Sequence, residues 1–257
     1  MQRDESVRDH NSVRDDVISP PRVLQTGGEQ RFVILIANAK GGCGKTTLAT
    51  NLASHLAAQG KAVTLLDLDP LQSATSWLHQ REKSGRRDIH GLSLKLDAHT
   101  TYGRLTETIT HAREYLVIDS PAGLDGPVLD HVMRLTQVVI VPVLPSPIDI
   151  RAATRFLQAV MLTPSYRRRP RRLAVIANRT RARTRMYSQL RQFLSSLKIP
   201  YLVTLRDTQF YVQAAGEGIG VSDLDDPRAG ADLIHWKRII EWLEIQRHLI
   251  KAMPGFR

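Results

Sequence analysis

The stretch that most restricts what this chain can become is Lys40-Gly41-Gly42-Cys43-Gly44-Lys45-Thr46-Thr47. An apolar run, Phe32-Val33-Ile34-Leu35-Ile36-Ala37, leads into it, and a helix-like segment, Leu48-Ala49-Thr50-Asn51-Leu52-Ala53, leads out. Strand, glycine-rich loop and helix are the context of a phosphate-binding loop. Glycines let successive backbone N–H groups turn into one anion nest, and the helix N-terminus behind them adds positive potential. Gly41, Gly42, Cys43, Gly44, Lys45, Thr46 and Thr47 are therefore the candidate phosphate cradle. Lys45 is placed to reach the terminal phosphates, and the Thr46 hydroxyl to ligate Mg2+. Ala39 stands where the usual pattern has its first glycine, and a second lysine, Lys40, stands at the loop mouth.

From Arg31 onward the text alternates. Apolar runs predict strands at 32–37, 62–66, 92–96, 115–118, 137–143, 172–177 and 201–205. Periodic segments predict helices near 45–59, 72–82, 101–112, 126–135, 149–163, 184–197 and 229–252. Such alternation predicts an α/β fold: a doubly wound, mostly parallel sheet flanked by helices, with ligands at the carboxyl ends of the strands. Residues 1–30 are polar, mixed in charge and broken by Pro20-Pro21 and Gly27-Gly28, which reads as a disordered arm ahead of one domain spanning 31–257.

Three acids follow predicted strands. Asp67 and Asp69, in Leu65-Leu66-Asp67-Leu68-Asp69-Pro70, flank a single residue and point the same way if the segment is extended. Asp119 ends Tyr115-Leu116-Val117-Ile118-Asp119, a Walker B pattern that holds Mg2+ directly or through water. Singly, each of these acids is as readily a turn or a helix cap.

Together these residues resemble one family, the ParA/MinD ATPases. Lys40-Gly41-Gly42-Cys43-Gly44-Lys45-Thr46 is similar to their deviant Walker A box, and Asp67-Leu68-Asp69-Pro70-Leu71-Gln72-Ser73-Ala74-Thr75 to the box that follows it. The resemblance runs from about Phe32 to about Leu243 and implies a P-loop NTPase fold, ATP and Mg2+ as ligands, and ATP hydrolysis. It implies that Asp69 orients the attacking water, that Asp67 and Asp119 serve the metal with Thr46, and that Ser120-Pro121-Ala122-Gly123 senses the γ-phosphate. Asn178, ending Leu173-Ala174-Val175-Ile176-Ala177-Asn178, would contact adenine. Lys40 would reach the nucleotide of the other subunit in an ATP-dependent homodimer, a cation supplied in trans.

Net charge is +11, and because residues 1–30 carry four Arg against six acids the remainder carries +13. A domain this basic suits a polyanion. Arg167, Arg168 and Arg169 precede the strand at 172–177, whereas Arg181 and Arg183 follow it, so the two groups belong at opposite ends of the sheet. Asp226-Pro227-Arg228-Ala229-Gly230-Ala231 resembles a family stretch whose arginine helps bind DNA, although Ala229 and Gly230 depart from the usual residues. These six arginines are the candidate nonspecific DNA contacts, since no base-reading module is visible. No apolar run approaches the ~18 residues of a membrane span. With no signal peptide and a single cysteine, Cys43, a cytoplasmic, nucleoid-associated location is expected.

The leading expectation is thus a DNA-bound ATPase that positions a plasmid, chromosome or protein assembly and is released when an adaptor protein on the cargo stimulates hydrolysis. A membrane-cycling, MinD-like ATPase using the tail Ile245, Leu249, Ile250 and Met253 ranks second. A metabolic P-loop ligase ranks third, because it leaves the charge unexplained.

Overall fold

The computed structural model describes residues 31–253 apart from Ala98 and Pro170. The expected N-terminal arm, 1–30, and the last four residues lie outside the described residues. The strands are β1 (Phe32–Ile36), β2 (Val63–Asp67), β3 (Ile89–Ser93), β4 (Tyr115–Asp119), β5 (Val138–Val143), β6 (Arg172–Thr180) and β7 (Tyr201–Arg206). They form one seven-stranded sheet in the order β3-β2-β4-β1-β5-β6-β7, and every pairing is parallel. The helices are α1 (Lys45–Ala58), α2 (Ser73–Lys83), α3 (Tyr102–Thr108), α4 (Gly126–Leu135), α5 (Pro147–Leu162), α6 (Pro164–Arg168), α7 (Arg185–Ser196), α8 (Gln209–Gly216) and α9 (Gly230–Lys251).

Parallel strands connected by helices are covered on both faces, so their residues are apolar almost without alternation. All five residues of β1, β2 and β4 are buried, as are all six of β5. Alternate residues feed two cores. Ile34, Ile36, Val63 and Val117 pack against α1, α2 and α9, including Leu52, Trp77 and Trp236. Val33, Leu35, Ile118 and Val139 pack on the other face against α4, α5 and α7, including Val132, Phe156 and Leu190. Most helix starts are fixed by side-chain caps: Thr101, Ser146, Thr163, Thr184 and Thr208 each accept a backbone N–H in the first turn of the helix that follows.

The register sets up the site. Asp119 pairs with Ile36 on one side and with Asp67 on the other, so both acids and the loop leaving β1 meet at one edge of the sheet. This is the carboxyl end of the strands, the place for ligands in an open α/β sheet.

Two expectations are corrected. β3 covers 89–93 rather than 92–96: Leu92, Leu94 and Leu96 alternate because the chain lies on the second core, while pairing with β2 begins at Ile89. The helix predicted over 101–112 ends at Thr108 and finishes as a 3-10 turn over Ile109–His111. α9 also stays packed beyond Leu243: Ile250 is buried, and Arg247 donates to Glu114 and to the Tyr115 hydroxyl with its guanidinium 4.5 Å from that ring's centre. The tail is therefore tied to the N-terminal end of β4 at Arg247. Of the four tail residues, only Ile245, Leu249 and Met253 are exposed.

Candidate nucleotide site

The loop between β1 and α1 is closed by its own lysine. Lys45 is buried, and its Nζ donates to the Lys40 carbonyl at 3.1 Å, arching back over the turn. Gly44 ends the loop at φ 91°, in the left-handed region that favours glycine. A Cβ there would also stand 2.3 Å from Asn178 Nδ2, so the position excludes any side chain. Cys43 is buried, its Sγ contacts the Lys40 carbonyl at 3.3 Å, and burial pushes its thiol pKa up, which makes it structural rather than reactive.

Beside the loop, the Thr46 hydroxyl donates to Asp119 Oδ2 at 2.7 Å. The other oxygen, Asp119 Oδ1, is buried and accepts no hydrogen bond among the described residues. Burial pushes the Asp119 pKa up to about 7; Asp67 and Asp69 push it the same way, while the Thr46 hydrogen bond and Lys45 oppose the rise. An orphaned carboxylate oxygen next to a threonine hydroxyl and a phosphate cradle fits a divalent cation, whose charge would hold Asp119 ionised. No group of three or more His, Cys, Asp or Glu among the described residues forms a complete metal cage.

Asp67 also organises its own loop. Its Oδ1 accepts the Asp69 N–H at 3.0 Å, and its Oδ2 accepts the Thr75 N–H at 2.8 Å and the Thr75 hydroxyl at 3.0 Å. Both oxygens thereby help to fold the 67–75 loop, and burial raises the Asp67 pKa from its ordinary value. Asp69 is half-buried, and only its Oδ1 is engaged, accepting from Leu71 N–H at 2.9 Å. That leaves Oδ2 without a hydrogen-bond partner among the described residues.

Lys40 does not hang free. Its Nζ lies 2.7 Å from Asp149 Oδ2, at the start of α5, and the Asp149 side chain is only 3% exposed. The Ser146 hydroxyl donates to the same oxygen, and Asp149 Oδ1 is buried without a partner among the described residues. Asn38 fixes the loop entrance, with its Nδ2 donating to the Pro142 carbonyl at 2.8 Å. Asn178 closes the other side: its Nδ2 donates to the Cys43 carbonyl at 2.8 Å, and its Oδ1 accepts the Arg179 N–H at 3.0 Å. In this arrangement Asn178 clamps the loop. The segment Ser120–Gly123 is tied to the same loop through Gly123 N–H and the Ala39 carbonyl, 2.8 Å apart.

Lys40, Lys45, Thr46, Asp67, Asp69, Asp119 and Asn178 thus converge on one end of the sheet. Asp149, Ser146, Thr75 and Asn38 complete the site, and the sequence carries little signal for them. Ser146 and Asp149 have the spacing of an N-cap pair, the commoner use of such residues.

The arginines do not converge. Arg167 and Arg168 are exposed on α6 and Arg169 is half-buried behind them, before the start of β6. Arg181 and Arg183 follow β6, which at nine residues puts about 26 Å between the two groups at ~3.3 Å per residue. Arg181 is bonded to Asp207 at 2.9 Å, and Arg228 to Asp226 at 2.7 Å, with the Arg228 guanidinium 5.7 Å from the Phe210 ring centre. Arg183 is exposed, with φ 64°. Arg171 is structural, capping carbonyls of Met133 and Arg134 at the end of α4.

Comparison with known proteins bears on this geometry. Residues 34–221 match the profile of the CobQ/CobB/MinD/ParA nucleotide binding domain. The chain is 30% identical, over 79% of its length and 93% of the relative's, to the maintenance of carboxysome distribution protein A of Halothiobacillus neapolitanus. Among solved structures it is similar to a putative plasmid partition protein of Borrelia burgdorferi bound to AMPPNP, with TM-score 0.65 and 20% identity over 85% of this chain and all of that one. It is also similar to the septum site-determining protein MinD of Pyrococcus horikoshii complexed with Mg-ADP, with TM-score 0.62 and 18% identity over 84% of this chain and 99% of that one. Identities this low in the two structures speak for the fold, while the profile and the sequence relative span most of the chain. The chain belongs to the CobQ/CobB/MinD/ParA family of nucleotide-binding domains.

Proposed function

We propose that this chain is a ParA-type ATPase that dimerises on ATP, binds DNA without sequence preference, and positions a cargo through hydrolysis stimulated by a cargo-bound adaptor protein. The observation that carries the reading is the pair of lysines on one phosphate loop, Lys45 folded over the cradle and Lys40 held at its mouth by Asp149. One lysine serves phosphates within the subunit. The second sits where release from Asp149 would let it reach across a dimer face.

The cradle N–H groups and Lys45 would bind and orient the phosphates, exchanging the Lys45 contact with the Lys40 carbonyl for phosphate oxygen. Mg2+, held by Thr46 and Asp119 through the oxygen that now lacks a partner, would supply charge neutralisation between phosphate oxygens. Asp69 offers its unengaged oxygen to a water aligned with the terminal phosphate. Asp67 and Thr75 hold the backbone that carries it. Asn178 fixes the loop and offers its remaining N–H to the base. Lys40, arriving from the partner protomer, would add positive charge where the leaving phosphate gathers negative charge.

The similarity to a carboxysome distribution protein over nearly its whole length supports a protein assembly, rather than a plasmid, as the cargo class. The basic surface supports a nucleoid-bound cytoplasmic protein. The test is retention on random-sequence duplex. With ATP the chain should be retained, and with ADP released. Equal retention with both nucleotides contradicts the proposal. The membrane-cycling reading draws on exposed Ile245, Leu249 and Met253 beside Lys251. No helix among the described residues is long and apolar enough to cross a membrane, so such binding would lie at the surface. It predicts ATP-dependent retention on anionic vesicles that Ile245→Glu with Leu249→Glu abolishes.

A further inference from the structure

The nucleotide site accounts for one end of the sheet but not for its β7 edge. β7 pairs with β6 on one side and with no strand on the other among the described residues. Along the open side runs a groove of about 610 Å3, walled by α7 on one flank and α9 on the other. Tyr187, Tyr201 and Leu202 line it with aromatic and apolar surface, and Thr204, His235 and Arg238 with polar groups. β7 is bulged: Val175 pairs with Tyr201 but Ala177 pairs with Thr204, which puts an extra residue on β7. That insertion turns Tyr201 and Thr204, three residues apart, toward one another, so the hydroxyls of Tyr201 and Tyr187 both meet the Thr204 hydroxyl.

The charges of the groove are uneven. Its carboxylate, Asp207, is spent on Arg179 and Arg181, and Asp232, fully buried, is spent on Arg206. Arg238 on α9 is exposed and makes no ion pair among the described residues. Arg191 on α7 is likewise exposed and without an ion pair among the described residues, and its charge acts on Tyr201. One unmatched cation therefore flanks the open strand on each side. Open sheet edges are ordinarily blunted, because their unpaired backbone groups recruit another strand. Here the edge is instead set between α7 and α9 and lined by Tyr187 and Tyr201, which suits an added strand.

We propose that the β7 edge docks an extended acidic segment of a partner protein, which adds to the sheet as an eighth strand between α7 and α9. Successive side chains of a strand point to opposite faces. Adjacent acidic residues in the segment would thus meet Arg191 on one wall and Arg238 on the other, with β-branched or apolar neighbours against Tyr187 and Tyr201. Six residues of β7 offer about 20 Å of edge at ~3.3 Å per residue, room for a segment of similar length. None of the phosphate-loop residues lines the groove.

The experiment is fluorescence anisotropy with the full chain and a labelled ten-residue peptide of alternating Thr and Val with two adjacent glutamates at its centre. Saturable binding is expected. Replacing both glutamates by glutamine, or introducing Arg191→Glu or Arg238→Glu, should weaken it by roughly tenfold or more, while Arg238→Lys retains it. N-methylation of alternate peptide nitrogens should abolish it by removing strand hydrogen bonds. ATP hydrolysis without peptide should be unchanged in all three variants. Absence of saturable binding overturns the proposal, as does undiminished binding of the N-methylated peptide, which would make the contact purely ionic. A peptide of residues 9–19 of this chain that displaces the probe with tenfold greater affinity would overturn the partner and assign the groove to the chain's own N-terminal arm. A flat peptide titration beside duplex binding that Arg238→Glu removes would overturn it in favour of nucleic acid.

Discussion

Asp149→Asn should tighten the ATP-dependent dimer. In the monomer Asp149 holds Lys40 at 2.7 Å, and a lysine engaged there does not reach a second subunit. The strength of this latch lies between two limits. Fully exposed pairs are worth about 0.2–1 kcal/mol, and breaking a fully buried one costs about 3–5 kcal/mol. Asp149 is 3% exposed but the Lys40 side chain is 35% exposed, so solvent screens the pair and the lower limit applies. Taking ~1 kcal/mol for each latch and two latches per dimer, release contributes ~2 kcal/mol, which tightens dimer dissociation by about thirtyfold. The substitution keeps the shape of the side chain, so the cap with Ser146 on α5 can persist. The assay is sedimentation of the ATP-loaded protein in an Asp69→Ala background, where turnover is expected to be slow. The gain should vanish when Lys40→Ala is added, because the latch then has nothing to release. An unchanged or weaker dimer in Asp149→Asn, or a gain that survives Lys40→Ala, refutes the reasoning.

Gly44→Ala should abolish nucleotide binding while leaving the protein folded: the φ of 91° strains an L-residue by about 1–3 kcal/mol, and the new Cβ displaces Asn178 from 2.3 Å; ATP titration alongside a thermal melt checks it. His55 is held neutral by burial, which lowers its pKa against the opposing pull of Asp223, and it stacks on Trp236 at 5.9 Å. The stability it contributes is present above its unfolded pKa of about 6.5 and is lost as pH falls below that value, because the unfolded chain then binds the proton more readily. The difference in unfolding free energy between wild type and His55→Asn should therefore shrink between pH 8 and pH 5 in denaturant titrations. For DNA, Arg228→Ala, and separately Arg167→Ala with Arg168→Ala and Arg169→Ala, should weaken duplex binding equally for all sequences. Filter binding should show the salt slope flattening by ~0.9 for each phosphate no longer neutralised.

The parallel sheet was legible because burial on both faces makes strands continuous apolar runs; 32–36, 115–119 and 138–143 are unmistakable for that reason. β3 was not, because Ile89-His90-Gly91 is held by pairing with β2 rather than by an apolar pattern. α8 was missed because in its eight residues only Tyr211 and Ala214 are buried, too few to show a helical period. At the site, residues adjacent to the strand ends could be read directly, since position after a strand places them. What could not be read were the tertiary ties. Nothing in the sequence pairs Lys40 with Asp149, which is 109 residues away, or Asn178 with the Cys43 carbonyl. The run of arginines likewise gives no sign that Arg171 caps α4 while Arg181 is neutralised by Asp207.

The measurement that tests the central claim most directly is Mg-ATP binding and turnover in parallel for wild type, Lys45→Ala and Asp69→Ala, by titration calorimetry and phosphate release. The account predicts that Lys45→Ala loses binding and turnover together, because Lys45 is the cation folded over the cradle. It predicts that Asp69→Ala binds as wild type does but turns over at least about tenfold more slowly, because the substitution removes the carboxylate proposed to orient the water, along with its one hydrogen bond, to the exposed Leu71 N–H. Wild-type affinity in Lys45→Ala, or wild-type turnover in Asp69→Ala, would contradict it.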